Sequence, residues 1–401
     1  MSRILLISNG HGEDLSGSLL AKSLITIGHT VHALPIVGHG HNYKNHNIKV
    51  LGKTKEFRTG GLGYNSLKGI LYDLIDGQFF YFLRKLILTY KVRKKYDCFL
   101  LVGDIIPIAF SWIVRKKCFI YLVAYSSHYE GKLNLPFLCK FFLMSNKVKT
   151  IFSRDLLTAI DLSNQLGKKV NFYGNPFMDR IFKLKKEDNN VFSIACFPGS
   201  REPELINNFI LMLEIIENLS NDNFLSQEEF SFALVKSLDK DKLIKILRHR
   251  KWIKGSDKNN KFCNAIFYQY RNIKVSFCWN VFDQILVQSD LVLSMSGTAA
   301  EQAVGLGKPV IQVEGKGPQF TKTFAEAQRR LLGKYIYCAT QSDTKEQKIE
   351  ETIKLILKLI YLIKFDPKFL INCKKNASKR LGGEKSCNKI SKTIDLYLKN
   401  E

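Results

Sequence analysis

Residues 192–204 read FSIACFPGSREPE, and residues 291–301 read LVLSMSGTAAE. In each stretch an apolar run of strand length is followed by a turn of small residues and then by the start of a helical pattern. A strand that passes through a glycine-containing turn into a helix is the repeating unit of an α/β fold with a parallel sheet. Two such units predict a Rossmann-like sheet in the second half of the chain.

The same alternation of strands and helices is present in the first half. Apolar runs of strand length alternate there with helix-length amphipathic runs. The predicted strands cover residues 3–8, 31–37, 98–102, 119–123 and 149–152. A chain of 401 residues with 45% hydrophobic residues can bury two cores. We therefore expect an α/β protein with two Rossmann-like, doubly wound domains that face each other across a cleft.

The predicted domain boundary is the polar run KLKKEDNN at residues 183–190, which has no apolar period. It separates an N-terminal domain at 1–182 from a C-terminal domain at 191–365. In such sheets ligands bind beyond the carboxyl ends of the strands. The loops that follow the strands are therefore the first places to look for a site.

The net charge is strongly positive, at +25 from 61 Lys and Arg against 36 Asp and Glu. Nucleic acid, anionic lipid or a phosphorylated small molecule would each suit this charge. A coding bias toward Lys, Asn and Ile accounts for part of the excess. Because no usual nucleic-acid-binding signature is present, we expect no nucleic-acid partner.

Several patterns indicate a cytoplasmic protein. No window of about 18 uninterrupted apolar residues is present, which predicts no transmembrane helix. The N-terminal MSRILLISNG reads as a buried strand rather than a signal peptide. The nine cysteines are scattered without a C-x-x-C pair, which indicates reduced thiols.

The loop at 198–201 has the composition of an anion site. Gly199 permits close approach of a ligand to the backbone, and Ser200 supplies a hydroxyl. The N–H groups at the following helix start and the guanidinium of Arg201 both suit phosphate oxygens. A plain strand-to-helix turn, with Arg201 paired to a neighbouring Glu, is an equally good interpretation of this loop alone.

The loop at 296–301 offers similar chemistry. Ser296, Gly297 and Thr298 present small polar groups at a helix start. Thr298 and Glu301 match the spacing of a capping box, which is the purely structural interpretation. Glu301 could instead accept hydrogen bonds from the hydroxyls of a ribose. Two such loops in one domain favour the functional interpretation.

The candidate bases lie in the first half. Asp104 follows the predicted strand 98–102, and His11 lies in the first loop and titrates near neutrality. We rank Asp104 slightly above His11, although a turn or cap role is common for such an Asp. Glu13 and Asp14 begin the first helix, where they would repel a phosphate.

Three motifs resemble lipid-A-disaccharide synthase, and most of all the family related to that synthase. They are YGNPFMD at 173–179, PGSREPE at 198–204 and SGTAAEQAVGLGKP at 296–309. The resemblance covers about residues 1–340. It implies a glycosyltransferase of the GT-B type that moves a sugar from a UDP-sugar to a lipid or lipid-linked acceptor.

The resemblance also implies roles for residues. Gly199, Ser200 and Arg201 would lie at the donor diphosphate, Ser296, Gly297 and Thr298 would line the donor, and Glu301 would hold the ribose. Gln319 is a further donor candidate. Residues 366–401 would pack back toward the N-terminal domain. Such enzymes usually need no metal, and we expect no cofactor.

The acceptor side departs from the synthase pattern. Gly12 and Glu13 match the start of its first loop, after which the sequence diverges. Asp104 stands one place earlier than the proposed base of the synthase. We assign Asp14, His128 and Asn175 to the acceptor side.

Two basic amphipathic stretches, 62–95 and 137–149, favour contact with an anionic membrane surface. Core helices with solvated lysine tips are the structural alternative. Two other functions stay open: a UDP-sugar epimerase of the same fold, and a non-catalytic protein that binds anionic lipid or nucleic acid.

Overall fold

The computed structural model describes residues 1–55, 78–187, 191–202, 204–220, 228–255, 262, 265–315, 322–339 and 344–400. The chain divides into two compact units. The first contains Met1–Asp179 together with Leu381–Glu401, and the second contains Arg180–Arg380. The second unit is therefore an insertion in the sequence of the first.

A six-stranded sheet forms the centre of the first unit within the described residues. Its strands are β1 (Arg3–Ser8), β2 (Thr30–Pro35), β3 (Cys98–Gly103), β4 (Cys118–Leu122), β5 (Val148–Ser153) and β6 (Val170–Asn171). They lie in the order β2-β1-β3-β4-β5-β6, and every neighbouring pair is parallel. The strand order reverses direction at β1. Since parallel crossovers are right-handed, this reversal puts helices on both faces of the sheet.

An eight-stranded sheet forms the centre of the second unit in the part of the chain that is described. Its strands are β7 (Ser193–Phe197), β8 (Glu229–Leu234), β9 (Ile253–Lys254), β10 (Ala265–Tyr270), β11 (Ile273–Trp279), β12 (Leu291–Ser294), β13 (Val310–Gln312) and β14 (Ile336–Cys338). The order is β14-β13-β12-β7-β8-β11-β10-β9. Among these strands only β10 runs in the opposite direction, antiparallel to both β9 and β11, and the other neighbouring pairs are parallel.

The helices mostly connect successive strands, as expected for an α/β fold. In chain order they are α1 (His11–Thr26), α2 (His41–Asn45), α3 (Gln78–Val92), α4 (Ile105–Val114), α5 (Ser127–Glu130), α6 (Phe137–Met144), α7 (Leu156–Leu166), α8 (Met178–Ile181), α9 (Glu204–Leu219), α10 (Lys240–His249), α11 (Phe282–Gln288), α12 (Gly297–Gly305), α13 (Lys322–Leu332), α14 (Lys345–Phe365), α15 (Pro367–Arg380) and α16 (Ser386–Lys399). A 3-10 helix covers Arg93–Lys95.

Each sheet buries its own apolar core. In the second unit, the rings of Phe209, Phe232 and Phe277 meet with centroids 5.1 to 5.9 Å apart. In the first unit, strands β1 and β3 are buried along almost their whole length. Such continuous burial is typical of a parallel sheet that is covered on both faces.

The predicted α/β class with two Rossmann-like sheets is confirmed. Two details differ: β10 is antiparallel, and helix α15 was not predicted between the helices expected at 345–363 and 384–398. The side chain of Asp366 accepts from the N–H groups of Lys368 and Phe369, and Pro367 begins the helix. A capping Asp followed by Pro is a helix-start signal that the sequence does contain.

The helix α16 at the end of the chain is anchored in the first unit. Both carboxylate oxygens of Asp179 accept from its first-turn N–H groups, those of Ser386 and Cys387, each at 2.8 Å. Gly174 and Gly382 are in direct contact, since a Cβ on Gly382 would collide with the Cα of Gly174. Helix α15, which precedes this return, belongs to the second unit.

Candidate functional site

The second sheet changes direction between β12 and β7. Strand β8 lies on one side of β7, β13 lies on the other side of β12, and Phe197 is paired with Ser294. Ligands of doubly wound folds bind at such a switch point, beyond the carboxyl ends of the strands. The loops at 198–201 and 295–298 begin at this point.

A cavity of about 240 Å³ lies between these two loops. Its walls include most of the residues predicted to bind a donor. These are Gly199, Ser200, Arg201, Ser296, Gly297 and Thr298. The structure therefore brings six of the eight predicted donor residues together.

The other two donor candidates are not among the described residues that line the cavity. Glu301 lies one turn into α12. Gln319 lies outside the described residues.

The start of helix α12 differs from the expected capping box. The N-cap is Ser296 rather than Thr298, and Ser296 makes no side-chain capping hydrogen bond. The purely structural interpretation of Thr298 and Glu301 as a capping box therefore does not hold. The helix begins at Gly297, two residues earlier than a cap at Thr298 would place it. A helix start without a side-chain cap suits a bound anion.

Gly199 has a backbone conformation that excludes most other residues. Its φ is +102°, and a Cβ would lie 3.2 Å from the carbonyl oxygen of Met295. Any larger residue would strain the loop and push the two strand ends apart. The glycine thus keeps the walls of the cavity close to each other.

Asn208, in the second turn of α9, is a cavity residue that the sequence analysis missed. Its side chain is only 1% exposed and lines the cavity. Its Nδ2 donates to the carbonyl oxygen of Pro198 at 2.9 Å, which holds the loop against the helix. No local signal marks it, because an Asn inside a helical pattern usually faces solvent.

A polar cluster occupies the switch point of the first sheet, between β1 and β3. Asp104 is 3% exposed and caps α4 by accepting from the N–H of Ile106 at 2.9 Å. It also accepts from Asn9 Nδ2 at 3.0 Å, and Asn9 directly follows β1. The two hydrogen bonds hold the carboxylate between the end of β1 and the start of α4.

Glu13 lies beside Asp104 and is half-buried. Burial raises the pKa of Glu13 to about 7, and the charge of Asp104 raises it further, whereas a backbone hydrogen bond and Arg154 oppose the rise. A Cβ at Gly10 would collide with the Glu13 carboxylate, and one at Gly103 would lie 3.3 Å from its Cγ. The two glycines therefore make room for this side chain. A carboxyl group that titrates near neutrality is suited to general acid–base chemistry.

Asp14 is buried behind Glu13 rather than open to a ligand. It accepts from Ser8 Oγ at 2.6 Å, and Ser8 Oγ also lies 2.7 Å from the hydroxyl of Tyr43. Burial raises the pKa of Asp14 to about 7, against the effect of the Ser8 hydrogen bond. Asp14 is therefore part of an internal network under α1.

The other acceptor-side candidates have partners within the first unit. His128 Nε2 lies 3.6 Å from Asp155, which also accepts from Ser126 and caps α7. Asn175 is buried and accepts from the hydroxyl of Tyr121. The side chain of His11 lies outside the described part of the chain, although its backbone begins α1.

No group of three His, Cys, Asp or Glu side chains suited to a metal ion is present among the described residues. Asp239, in the sequence Asp239-Lys240-Asp241, accepts from the N–H of Lys242 at 2.9 Å and is the N-cap of α10. This Asp-x-Asp pattern therefore has the capping role that the sequence favours.

Solved structures with the same fold are found among nucleotide-sugar enzymes. MurG from Acinetobacter baumannii aligns with a TM-score of 0.59 at 11% identity over 99% of this chain and 100% of that one. The UDP-GlcNAc 2-epimerase of Neisseria meningitidis, solved with UDP-GlcNAc, aligns with a TM-score of 0.56 at 15% identity over both whole chains. The spinosyn rhamnosyltransferase SpnG, solved with thymidine diphosphate, gives 0.55 at 10% identity over 98% of this chain and 100% of that one.

The fold is therefore that of the GT-B class, which contains both sugar transferases and sugar epimerases. No protein-family model matches the sequence, and no curated protein sequence does either. At these identities the similarity extends to the fold.

Proposed function

We propose that the protein is a glycosyltransferase whose second unit binds a UDP-sugar. The observation that supports this most is the cavity at the switch point, where Arg201 and the start of α12 meet. A guanidinium and a helix start together suit a diphosphate, which carries negative charge before and after the sugar leaves. Glu301, one turn further on, is proposed to accept from the ribose hydroxyls.

The first unit is proposed to supply the base. In the reaction an acceptor hydroxyl loses its proton, its oxygen bonds to the anomeric carbon, and the bond from that carbon to the diphosphate breaks. Glu13 suits the proton transfer because its pKa is raised to about 7 by burial. Asp104, which the sequence favours together with His11, is proposed to act through Glu13, since its own oxygens already hold Ile106 and Asn9.

We propose a lipid or lipid-linked acceptor at an anionic membrane surface, as the resemblance to lipid-A-disaccharide synthase implies. Part of the basic stretch 62–95 lies outside the described residues, but α3, α4 and α6 carry exposed apolar side chains. Among the described residues, no helix is long and apolar enough to cross a membrane. A peripheral contact through these helices fits the chemistry of such an acceptor.

A UDP-sugar epimerase is the second candidate, because the fold also occurs in the UDP-GlcNAc 2-epimerase of Neisseria meningitidis. An epimerase changes the sugar without an acceptor. Incubation with UDP-sugar alone, followed by separation of the sugar nucleotides, therefore tests the epimerase: a new epimer favours it, and unchanged donor contradicts it.

The donor site is tested by calorimetric titration of the purified protein with UDP. We expect binding by the wild type and a loss of about 10- to 100-fold in Arg201→Ala, since a hydrogen bond to a charged group contributes about 1.5–3 kcal/mol. Arg248→Ala, an exposed arginine of α10 outside the cavity, is the matched control and should bind normally. Absence of UDP binding at millimolar concentration, or equal binding by all three proteins, would contradict the proposal. Salt-sensitive binding to lipid or nucleic acid in its place would favour a non-catalytic function.

A further inference from the structure

A second cavity, of about 390 Å³, lies beside the donor cavity in the second unit. Its walls come from the middle of α9, the loop after β13 and the first turn of α14. Asn208 lines both cavities, so the two spaces share a wall. The proposed binding of UDP leaves this second space unused.

The charged groups around the second cavity are already paired. Lys348 lies 2.6 Å from Glu314, and Lys345 lies 2.5 Å from Glu214. Each lysine is thus neutralised by a carboxylate from another element. A cavity of this kind does not attract a bare phosphate, but its paired ions can still donate to and accept from neutral hydroxyl groups.

The remaining walls combine apolar and amide groups. Ile210 and Leu211 are half-buried side chains on the same turn of α9, and Asn207 lies beside Asn208. An apolar wall with a few fixed polar groups is typical of a small-molecule site. A sugar ring, with C–H groups on its faces and hydroxyls at its edge, matches this combination.

The side-chain amide of Asn208 is the group that can orient a ligand in this cavity. Because its Nδ2 donates to the carbonyl oxygen of Pro198, the orientation of the amide is fixed and Oδ1 is left as the acceptor. Oδ1 is buried and has no hydrogen-bond partner among the described residues. A buried amide oxygen without a partner is costly, and a ligand hydroxyl that donates to it would remove that cost.

We infer that the second cavity is the subsite for the neutral hexose of the donor, with Asn208 Oδ1 accepting from a sugar hydroxyl. This inference rests on the proposed binding of UDP in the adjacent cavity. Glu314 and Lys348 hold further hydroxyls, and Leu211 packs against the ring. The subsite thus selects a neutral sugar over a charged one.

Calorimetric titration with UDP, UDP-glucose, UDP-galactose and UDP-GlcNAc tests the subsite. Leu211→Trp fills the cavity and should weaken every UDP-hexose that binds by at least tenfold, while UDP itself changes less than twofold. Glu314→Gln keeps the shape of the side chain and removes its charge. It should weaken the binding of the same UDP-hexoses severalfold, again without affecting the binding of UDP. This variant tests the subsite even if the tryptophan variant does not fold.

Leu357→Trp is the matched control, because Leu357 is a half-buried leucine that packs on the same core and lines neither cavity. It should leave all four affinities unchanged. Equal effects of Leu211→Trp and Glu314→Gln on UDP and UDP-hexoses, no effect at all, or binding of UDP but of no UDP-hexose would each overturn the subsite. A wild type that does not bind UDP would overturn the proposed function itself.

Discussion

Single residues at the first switch point have properties that their sequence context does not reveal. Glu13 and Asp14 are neighbours at the start of one helix, and burial raises the pKa of each to about 7. Of the two, Glu13 is partly exposed, whereas Asp14 is buried and hydrogen-bonded to Ser8, which also contacts Tyr43. The position of a carboxylate relative to the sheet, rather than its position in the helix, thus decides which of the two can meet a substrate.

If Glu13 is the base, it must be ionised to accept a proton. Sugar transfer from UDP-sugar to a membrane lipid extract should then rise about tenfold per pH unit up to about pH 7 and level off above it. Glu13→Gln should remove this acidic limb and lower the rate by about 10²- to 10⁴-fold.

Asp14→Asn is the matched control for this pH profile, because it removes the neighbouring carboxylate that titrates in the same range. It should keep the acidic limb. If the acidic limb disappears in Asp14→Asn and persists in Glu13→Gln, the proposal that Glu13 is the base is contradicted.

At the scale of elements, α4 and α6 together present an apolar surface. Phe137 is 81% exposed, Leu138 and Phe141 are more than half exposed, and the ring of Trp112 lies 5.9 Å from that of Phe141. Arg115, exposed at the end of α4, adds positive charge. Aromatic and aliphatic groups beside a cation are typical of a helix surface that enters the membrane interface.

The double variant Phe137→Ser/Leu138→Ser tests this surface by sedimentation with vesicles that contain phosphatidylglycerol. Each removed side chain contributes about 1.5–3 kcal/mol if it is buried in lipid, so binding should weaken at least tenfold. Tyr361→Ser/Phe365→Ser, which removes two aromatic side chains of α14 that are also more than half exposed, should leave binding unchanged. Unchanged sedimentation of both variants would exclude α6 as the membrane contact.

The elements also show how much of the structure can be predicted from the sequence. Strand β1 is predicted with its observed bounds, and the loops with Gly199 and Gly297 are predicted because a strand, a turn and a helix are local patterns. The roles of Asn208 and Asp179 depend on their hydrogen-bond partners elsewhere in the chain. Asn208 bonds to Pro198 in the preceding loop, and Asp179 bonds to Ser386 in the last helix. Periodicity cannot reveal such pairs, because it reports only which face of an element is apolar.

At the scale of the molecule, two cores that are each built on their own sheet predict two unfolding events. Calorimetry should resolve two transitions. Phe277→Ala removes a fully buried ring from the second unit and should lower the stability of one of them by about 3–5 kcal/mol. Phe99→Ala, an equally buried ring in the first unit, should lower the other. A single transition that both variants shift would contradict this separation.

The return of the chain to its first unit has a consequence for biosynthesis. The residues of the second unit emerge from the ribosome as a continuous segment, whereas α16, which Asp179 anchors, is made after all of them. Domains generally fold as units as they are synthesised, in the order in which they are completed. Here the order is reversed: the unit that starts first must wait, with the α16 position on its sheet uncovered, until the inserted unit has been translated. Chaperones that bind nascent chains should therefore meet the first unit in an incomplete state for most of translation.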